Sequence, residues 1–487
     1  MHFASAYLDE LRNHSIQYCS TGEDGIVPAS QLTCFHAHIR DDPIADSFCI
    51  GSGATWDAPT QRFRLDCPTR RLPDANETAR GLIPFKALQP QWFETGPKYI
   101  FNHFVVLGDK DKPKPSDAAQ LEVRAESEVP TSLPGTPSFV ILVKREGASN
   151  LWHSLMEIWS MTMTMDVLRM SRKANGEPFY QTHQDMDNTH VVVLDDHGPG
   201  PTLDMWRFFS RNPIVTFKNM VENPDLVPAP FKSPEKAANT NIIVPLPGGS
   251  NPLWHGDWAV KDCTPEDAPL LKLFIKRVFE HFDVPLLLGP KLVEDENDKI
   301  VVTFIDRRGT RQLLGNEKLL DALHNRYPDV TVQSVDFATL PLPEQLRLIQ
   351  DTDVLVGVHG AGLTHTMFMR AGAGAVVEIL PDGLGYKGFR NLAAMTGHKY
   401  FSGAGTMVMP EELEEEKKKE GDGKQNERPS PTPEKSKKQK RNERREEAKK
   451  WQLAHVRIEE DRFLALMDVA IKSVYNEGLR NEYVIKR

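Results

Sequence analysis

No stretch of this 487-residue chain is apolar for long enough to cross a membrane as a helix, which takes roughly 18 such residues. The N-terminus, Met1-His-Phe-Ala-Ser-Ala-Tyr-Leu-Asp-Glu10, lacks both the basic segment and the apolar core of a signal peptide. Surplus positive charge is missing as well: the net charge of -9 argues against nucleic acid as the main partner. There is no His-Glu-x-x-His run and no Cys-x-x-Cys pair, so zinc chemistry is not expected. As written, the sequence reads as cytosolic, and its cysteines contradict this. Cys19, Cys34, Cys49 and Cys67 cluster near the start, with Cys263 alone. Such a cluster reads as two disulfides of open pairing, the alternative being buried free thiols.

What is present is an alternation of strands and helices, the mark of an α/β fold with parallel sheets. Residues 1–135 are turn- and Pro-rich and read as an irregular N-terminal region, with a solvated loop at Asp109–Pro115. A first α/β domain is expected over 136–284. It has strands at Phe139–Val143, His190–Leu194, Ile214–Phe217 and Ile242–Leu246, and helices at Asn150–Met170, Thr202–Ser210 and Pro265–Phe282. A second is expected over 285–410, with strands at Ile300–Ile305, Val330–Val335, Val354–Val358 and 375–380. Its helices would be Asn316–Tyr327, Pro343–Gln350 and one after Gly362. Residues 411–450 carry blocks of both charges and almost nothing apolar, so a disordered insertion is expected. A last helix over Trp451–Tyr475 would pack back on the domains, within a terminal segment 451–487.

The stretch Asp353-Val-Leu-Val-Gly-Val-His-Gly-Ala-Gly-Leu-Thr-His365 carries the chemistry. A buried strand empties into a glycine turn and a helix start, where backbone N–H groups favour an anion such as a nucleoside diphosphate. A tight turn needing glycines only for sterics is the competing reading. Three further sets of residues bear on it: Glu344-Gln-Leu-Arg347 with Glu378, Tyr386 and Gly397-His-Lys-Tyr400; Asp306-Arg-Arg-Gly-Thr-Arg311 with Asn316-Glu317; and Asn150-Leu-Trp-His153 with Glu157. On these residues the sequence resembles glycosyltransferase family 61, and within it the EGF-domain-specific O-GlcNAc transferase branch, which His365 matches. The likeness is dense over 300–400, thinner over 137–265 and faint before that.

The resemblance implies a GT-B architecture, two Rossmann-like domains facing each other, and an inverting transfer from a UDP-sugar without metal or cofactor. It implies GlcNAc as the sugar, UDP-xylose being the alternative, and a Ser/Thr hydroxyl of a secreted protein or a glycan as acceptor. Arg307, Arg311, His359 and the turn Gly360-Ala361-Gly362-Leu363-Thr364 would hold the donor, with Glu378 on the ribose hydroxyls. Surface ion pairs to Asp306 and Glu317 are the plain reading of the arginines. His153 and Glu157, four apart on one helix face, are the candidate bases; an N-cap with a surface pair is the alternative. Asn150, Asn316 and His365 would support the site. Trp254-His-Gly-Asp-Trp258 could stack on a sugar or pack as a loop. The family works in the lumen of the endoplasmic reticulum or Golgi, where Asn76-Glu-Thr78 would accept a glycan. Membrane contact would then need an anchor that this chain lacks. Two other classes compete: a non-catalytic nucleotide- or sugar-binding relative, and a scaffold acting through 411–450.

Overall fold

The computed structural model describes residues 5–19, 30–38, 45–67, 69, 82–108, 136–173, 175–232, 234–250, 253, 268–289, 299–421 and 450–475. The expected glycan acceptor at Asn76, the loop at Asp109–Pro115, the Trp254–Trp258 cluster and Cys263 lie outside them. The chain divides into two compact units, Met1–Gly256 and Asp257–Arg487. This division precedes the expected junction after residue 284. Helix Pro269–His281 counts with the second unit, where Phe279 packs edge-on against Phe368 at 6.0 Å. The chain after it is tied there too, since Leu287 N–H donates to Gln350 Oε1 at 2.7 Å.

The described strands of the first unit are β1 (Ser15–Gln17), β2 (Gln31–Ala37), β3 (Asp46–Ser52), β4 (Ala54–Asp57), β5 (Arg62–Leu65), β6 (Val105–Leu107), β7 (Ser138–Val143), β8 (Thr189–Val193), β9 (Val215–Thr216) and β10 (Thr240–Val244). The main sheet runs β1-β2-β3-β10-β7-β8-β9, and β4-β5-β6 form a small second sheet. β10, β7, β8 and β9 are parallel, as expected of βαβ steps. The N-terminal region is less irregular than its composition suggests. β1–β3 form an antiparallel meander that extends the sheet from β10. The two disulfides are Cys34–Cys49, joining register partners on β2 and β3, and Cys19–Cys67.

Helix Leu151–Met170 follows β7 and is buried along most of its length, Trp159, Met161, Met163 and Met165 included. A helix with large apolar residues on every side has to lie inside, its few polar side chains included. The Thr164 hydroxyl accepts from Leu246 N–H at 2.9 Å, so the exit of β10 is fixed to this helix. The expected helix at Thr202–Ser210 shortens to a 3-10 turn, Leu203–Arg207.

The second unit has one sheet of β11 (Ile300–Ile305), β12 (Val330–Val335), β13 (Val354–Val358), β14 (Ala375–Pro381), β15 (Lys399–Val408) and β16 (His455–Arg457), in the order β12-β11-β13-β14-β15-β16. Pairing is parallel from β12 to β15, and β16 joins antiparallel. Helices Asn316–Arg326, Leu342–Gln350 and Gly388–Thr396 connect the strands. Two expectations fail here. The last segment is not one helix: Val456 belongs to β16, and the helix runs Glu460–Tyr475. Its apolar face (Phe463, Met467, Ile471, Val474) packs in the core formed by β11, β13 and β14. The first part of the charged run is ordered, as helix Pro410–Gly421. Acids in its first turn, Glu411 and Glu412, suit the helix dipole. Residues 422–449 lie outside the described ones.

Candidate functional site

Sheet order decides where a ligand can enter the second unit. β11 and β13 are neighbours, yet the chain leaves β11 for β12 on one side and β13 for β14 on the other. A crevice opens at the carboxyl ends of two such strands. Ile305 ends β11 and leads to Arg307 and Arg311, while Val358 ends β13 and leads to His359 and Gly360. The two segments meet. A Cβ on Gly360 would lie 2.8 Å from Nη1 of Arg307 and 2.8 Å from Nη1 of Arg311. Gly360 also sits at φ 150°, ψ -179°, a conformation essentially reserved for glycine. Gly362 serves a different close approach, since its Cβ would meet Ile305 at 2.8 Å.

Two guanidinium groups held this close repel each other. Burial lowers the pKa of both, and the charge of Arg307 adds to the effect on Arg311, which falls to about 10. Among the described residues neither has a carboxylate partner, because Asp306 pairs with Arg308 at 2.6 Å instead. Arg307 Nε donates to the Thr310 carbonyl at 3.1 Å, whereas Arg311 Nε is buried without a partner among the described residues. Thr364, on the 3-10 helix Ala361–Phe368 after the turn, also has a buried hydroxyl lacking a partner among the described residues. An anion here would relieve the repulsion and use the idle donors.

Glu378 is not open to ribose. It is fully buried in β14, with Oε1 2.5 Å from His359 Nδ1 and Oε2 accepting from Tyr400 O–H at 2.5 Å. Its carboxylate fixes the ring of His359, as an orienting partner does for a functional histidine. Sequence reasoning missed this role for Tyr400. Around His359 stand Tyr386, stacked at 5.8 Å, and Trp451, edge-on at 5.2 Å. Trp451 also faces Arg311, with Cζ 5.4 Å from the ring centroid. The sequence places it only at the start of a helix; as the first large aromatic after a charged run, it is the available signal.

Leu363 is core, with no exposed surface, and Ala361 is half-buried. His365 is buried, with Nδ1 2.7 Å from Gly362 O, Nε2 2.7 Å from Gln345 Oε1, and its ring stacked on Phe337 at 4.0 Å. It braces the turn from behind, and burial pushes its pKa down to about 4. Asn316 opens its helix, accepting from Glu317 N–H at 2.9 Å, and is not gathered with the arginines by any recorded contact among the described residues.

The first unit repeats the logic of the switch point. β7 leads forward to β8 on one side and has β10 on the other. At its exit Arg145 makes a buried fork to Asp195, with Nη2 2.8 Å from Oδ1. Next comes Glu146, whose Oε2 bonds His153 Nδ1. Asn150 is the N-cap, accepting from the backbone N–H of Trp152 and His153 at 3.1 and 3.4 Å. Glu157 does not orient His153, because Glu146 takes that place. Glu157 lies beneath, accepting from Glu146 N–H at 2.7 Å. Burial, and then the charge of Glu146, raise its pKa well above 4.5. These surroundings favour its protonated form. The chain at Gly248 presses on it, since a Cβ there would lie 2.7 Å from Glu157 Cγ. Exposed Phe93 stands edge-on to His153 at 6.0 Å.

A mixed α/β frame with two arginines at a sheet switch point suits an anionic ligand, and sequence comparison points to glycosyl transfer. The family model described as Glycosyltransferase 61 matches residues 153–376, from His153 through both arginines and the glycine turn. The resemblance to that family is thus shown over this stretch. EGF domain-specific O-linked N-acetylglucosamine transferases are similar to the chain. The Drosophila melanogaster protein is 26% identical over 241 residues, 48% of this chain and 39% of that protein. The Gallus gallus protein is 36% identical over 187 residues, 37% of this chain and 31% of that protein. A beta-1,2-xylosyltransferase of Oryza sativa subsp. japonica is 38% identical over 101 residues, 21% of this chain and 16% of that protein. The matched stretches span well under half the length of these relatives.

Proposed function

We propose that the chain is an inverting glycosyltransferase moving a sugar from a UDP-sugar to a hydroxyl, without a metal. The observation that carries this reading is the convergence of Arg307 and Arg311 on Gly360, neither having a carboxylate partner among the described residues. As the bond from the sugar to the diphosphate breaks, negative charge grows on the departing phosphate oxygen. Two fixed guanidinium groups and an oriented His359 are placed to stabilise it, which is the work a metal does in other transferases. His153 is the base for the acceptor hydroxyl, with Glu146 holding Nδ1 so that Nε2 is the working nitrogen. Attack from the face opposite the leaving group gives inversion.

The two α/β units are read as the two Rossmann-like domains of a GT-B enzyme, the second being the donor side. The sugar is taken as GlcNAc, on the similarity to the EGF domain-specific transferases. The similarity to a xylosyltransferase favours UDP-xylose as the second reading. Ser or Thr of a secreted protein is the proposed acceptor. The two disulfides fit an oxidising lumen. No helix among the described residues is long and apolar enough to cross a membrane.

The test is release of UDP from UDP-GlcNAc, UDP-xylose, UDP-galactose and UDP-glucose, with an EGF-like domain as acceptor and EDTA present. One donor should turn over. His153→Ala should abolish turnover while leaving UDP affinity unchanged. Full turnover in that variant would remove His153 as the base, and absence of both release and UDP binding would remove the reading as a whole.

A further inference from the structure

The loop that carries the arginine pair is not held by its own strand alone. β16, far along the chain, lies beside it: Val456 N–H donates to Gln312 O at 2.9 Å, and Leu314 N–H to Val456 O at 2.8 Å. Gln312 N–H also reaches His455 Nδ1 at 3.3 Å, and β16 is itself paired with β15. The segment that begins at Trp451 therefore zips the residues just after Arg311 to the edge of the sheet. At the head of that segment the indole of Trp451 faces the Arg311 guanidinium and stands edge-on to His359 and Tyr386. Arg311 has a backbone φ of 58°, in the left-handed region that arginine seldom adopts. Its side chain, half-buried and converging with Arg307 on Gly360, needs a partner to keep its aim, and the Trp451 ring face offers one among the described residues.

We propose that Trp451 is a positioning residue, presetting Arg311 for the anion through the face of its ring while β16 fixes the backbone beneath. This rests on the anion pocket argued above. It makes the segment after the charged run part of the donor site, acting through Arg311 rather than by touching the nucleoside. The ligand chemistry it serves is a diphosphate, with or without a base attached.

Calorimetry on the full chain tests this with two probes, inorganic pyrophosphate and UDP. Trp451→Leu removes the π face but keeps an apolar side chain, and Trp451→Phe keeps a ring. A cation over a half-buried ring implies that Trp451→Leu weakens both probes by about two- to thirty-fold. Trp451→Phe should recover most of the loss, which also answers whether the leucine variant merely misfolds. In an Arg311→Ala background, Trp451→Leu should add no further loss. Unchanged affinity in Trp451→Leu overturns the proposal, as does an equal loss in both backgrounds. Weakened UDP with unchanged pyrophosphate also overturns it, in favour of direct stacking on the base. If the unmodified protein binds neither probe, the anion pocket itself is wrong, an outcome separate from the others.

Discussion

Replacing Gly360 with alanine separates the pocket from the fold more cleanly than removing an arginine. The added methyl would come within 2.8 Å of a terminal nitrogen on each of Arg307 and Arg311, and 3.2 Å from Arg311 Cζ. Those are the far ends of long side chains, which a methyl can push out of their set positions while the turn survives. The backbone at φ 150° adds strain of about 1–3 kcal/mol, felt as a lower melting temperature. The effect on binding is larger. A hydrogen bond to a charged group contributes about 1.5–3 kcal/mol, and about 1.4 kcal/mol is a factor of ten in affinity. Displacing one arginine thus weakens UDP about tenfold, and displacing both about a hundredfold or more. Calorimetric titration with UDP at fixed ionic strength reads this directly, with a thermal melt as the control for folding. A folded Gly360→Ala protein that binds UDP as the parent does would refute the argument that the glycine exists to admit the two guanidinium groups.

Glu157→Gln should keep much of the turnover, because an amide replaces a carboxyl held neutral by burial, whereas a base at this position would lose nearly all of it. The same variant tests linkage. An acid protonated in the native state but ionised in the unfolded chain makes stability fall as pH rises above about 4.5, by up to about 1.4 kcal/mol per pH unit. The variant should show a flatter profile above pH 4.5 by denaturant titration. His36, lowered to about 3, and His365 and His398, lowered to about 4, act in the opposite direction, all three chiefly through burial. Unfolding lets them take up protons, so the stability they contribute is complete above pH 6.5 and is lost as pH falls towards 4, by about 1.4 kcal/mol per unit for each. Melting temperatures that stay constant from pH 7 to 5 would contradict their neutral burial. Breaking Cys19–Cys67, which closes 48 residues, by a double serine substitution should cost about 4 kcal/mol on chain entropy. An unchanged denaturation midpoint would show that the bridge does not constrain the unfolded chain.

The second unit was legible because its strands are short, rich in β-branched residues and bounded by turns. Ile300–Ile305, Val330–Val335 and Val354–Val358 fall where their composition places them. The first unit was harder to read. Strands such as Gln31–Ala37 and Asp46–Ser52 carry His36, Asp46 and Ser47 at buried positions, and those polar residues hide the strand pattern. Their burial is met by partners remote in sequence, such as Tyr7 on Asp46 at 3.0 Å. β16 was absorbed into a helical reading because three residues are too few to set a period. In the site, the arginines and glycine turn could be paired from the sequence, since both follow strand ends. Glu146 could not, because it sits in a loop seven residues before the histidine it holds. Nor could the tie between Glu378 and Tyr400, which only the register of β14 against β15 creates.

The central claim is that the crevice between β11 and β13 binds a nucleoside diphosphate through Arg307 and Arg311. The most direct measurement is the dissociation constant for UDP of the unmodified chain beside that of the double variant Arg307→Ala, Arg311→Ala, with folding of both checked by circular dichroism. Saturable UDP binding that pyrophosphate displaces, and that the double variant loses, is the result expected. Equal UDP affinity in the two proteins, or none in the unmodified chain, would contradict it.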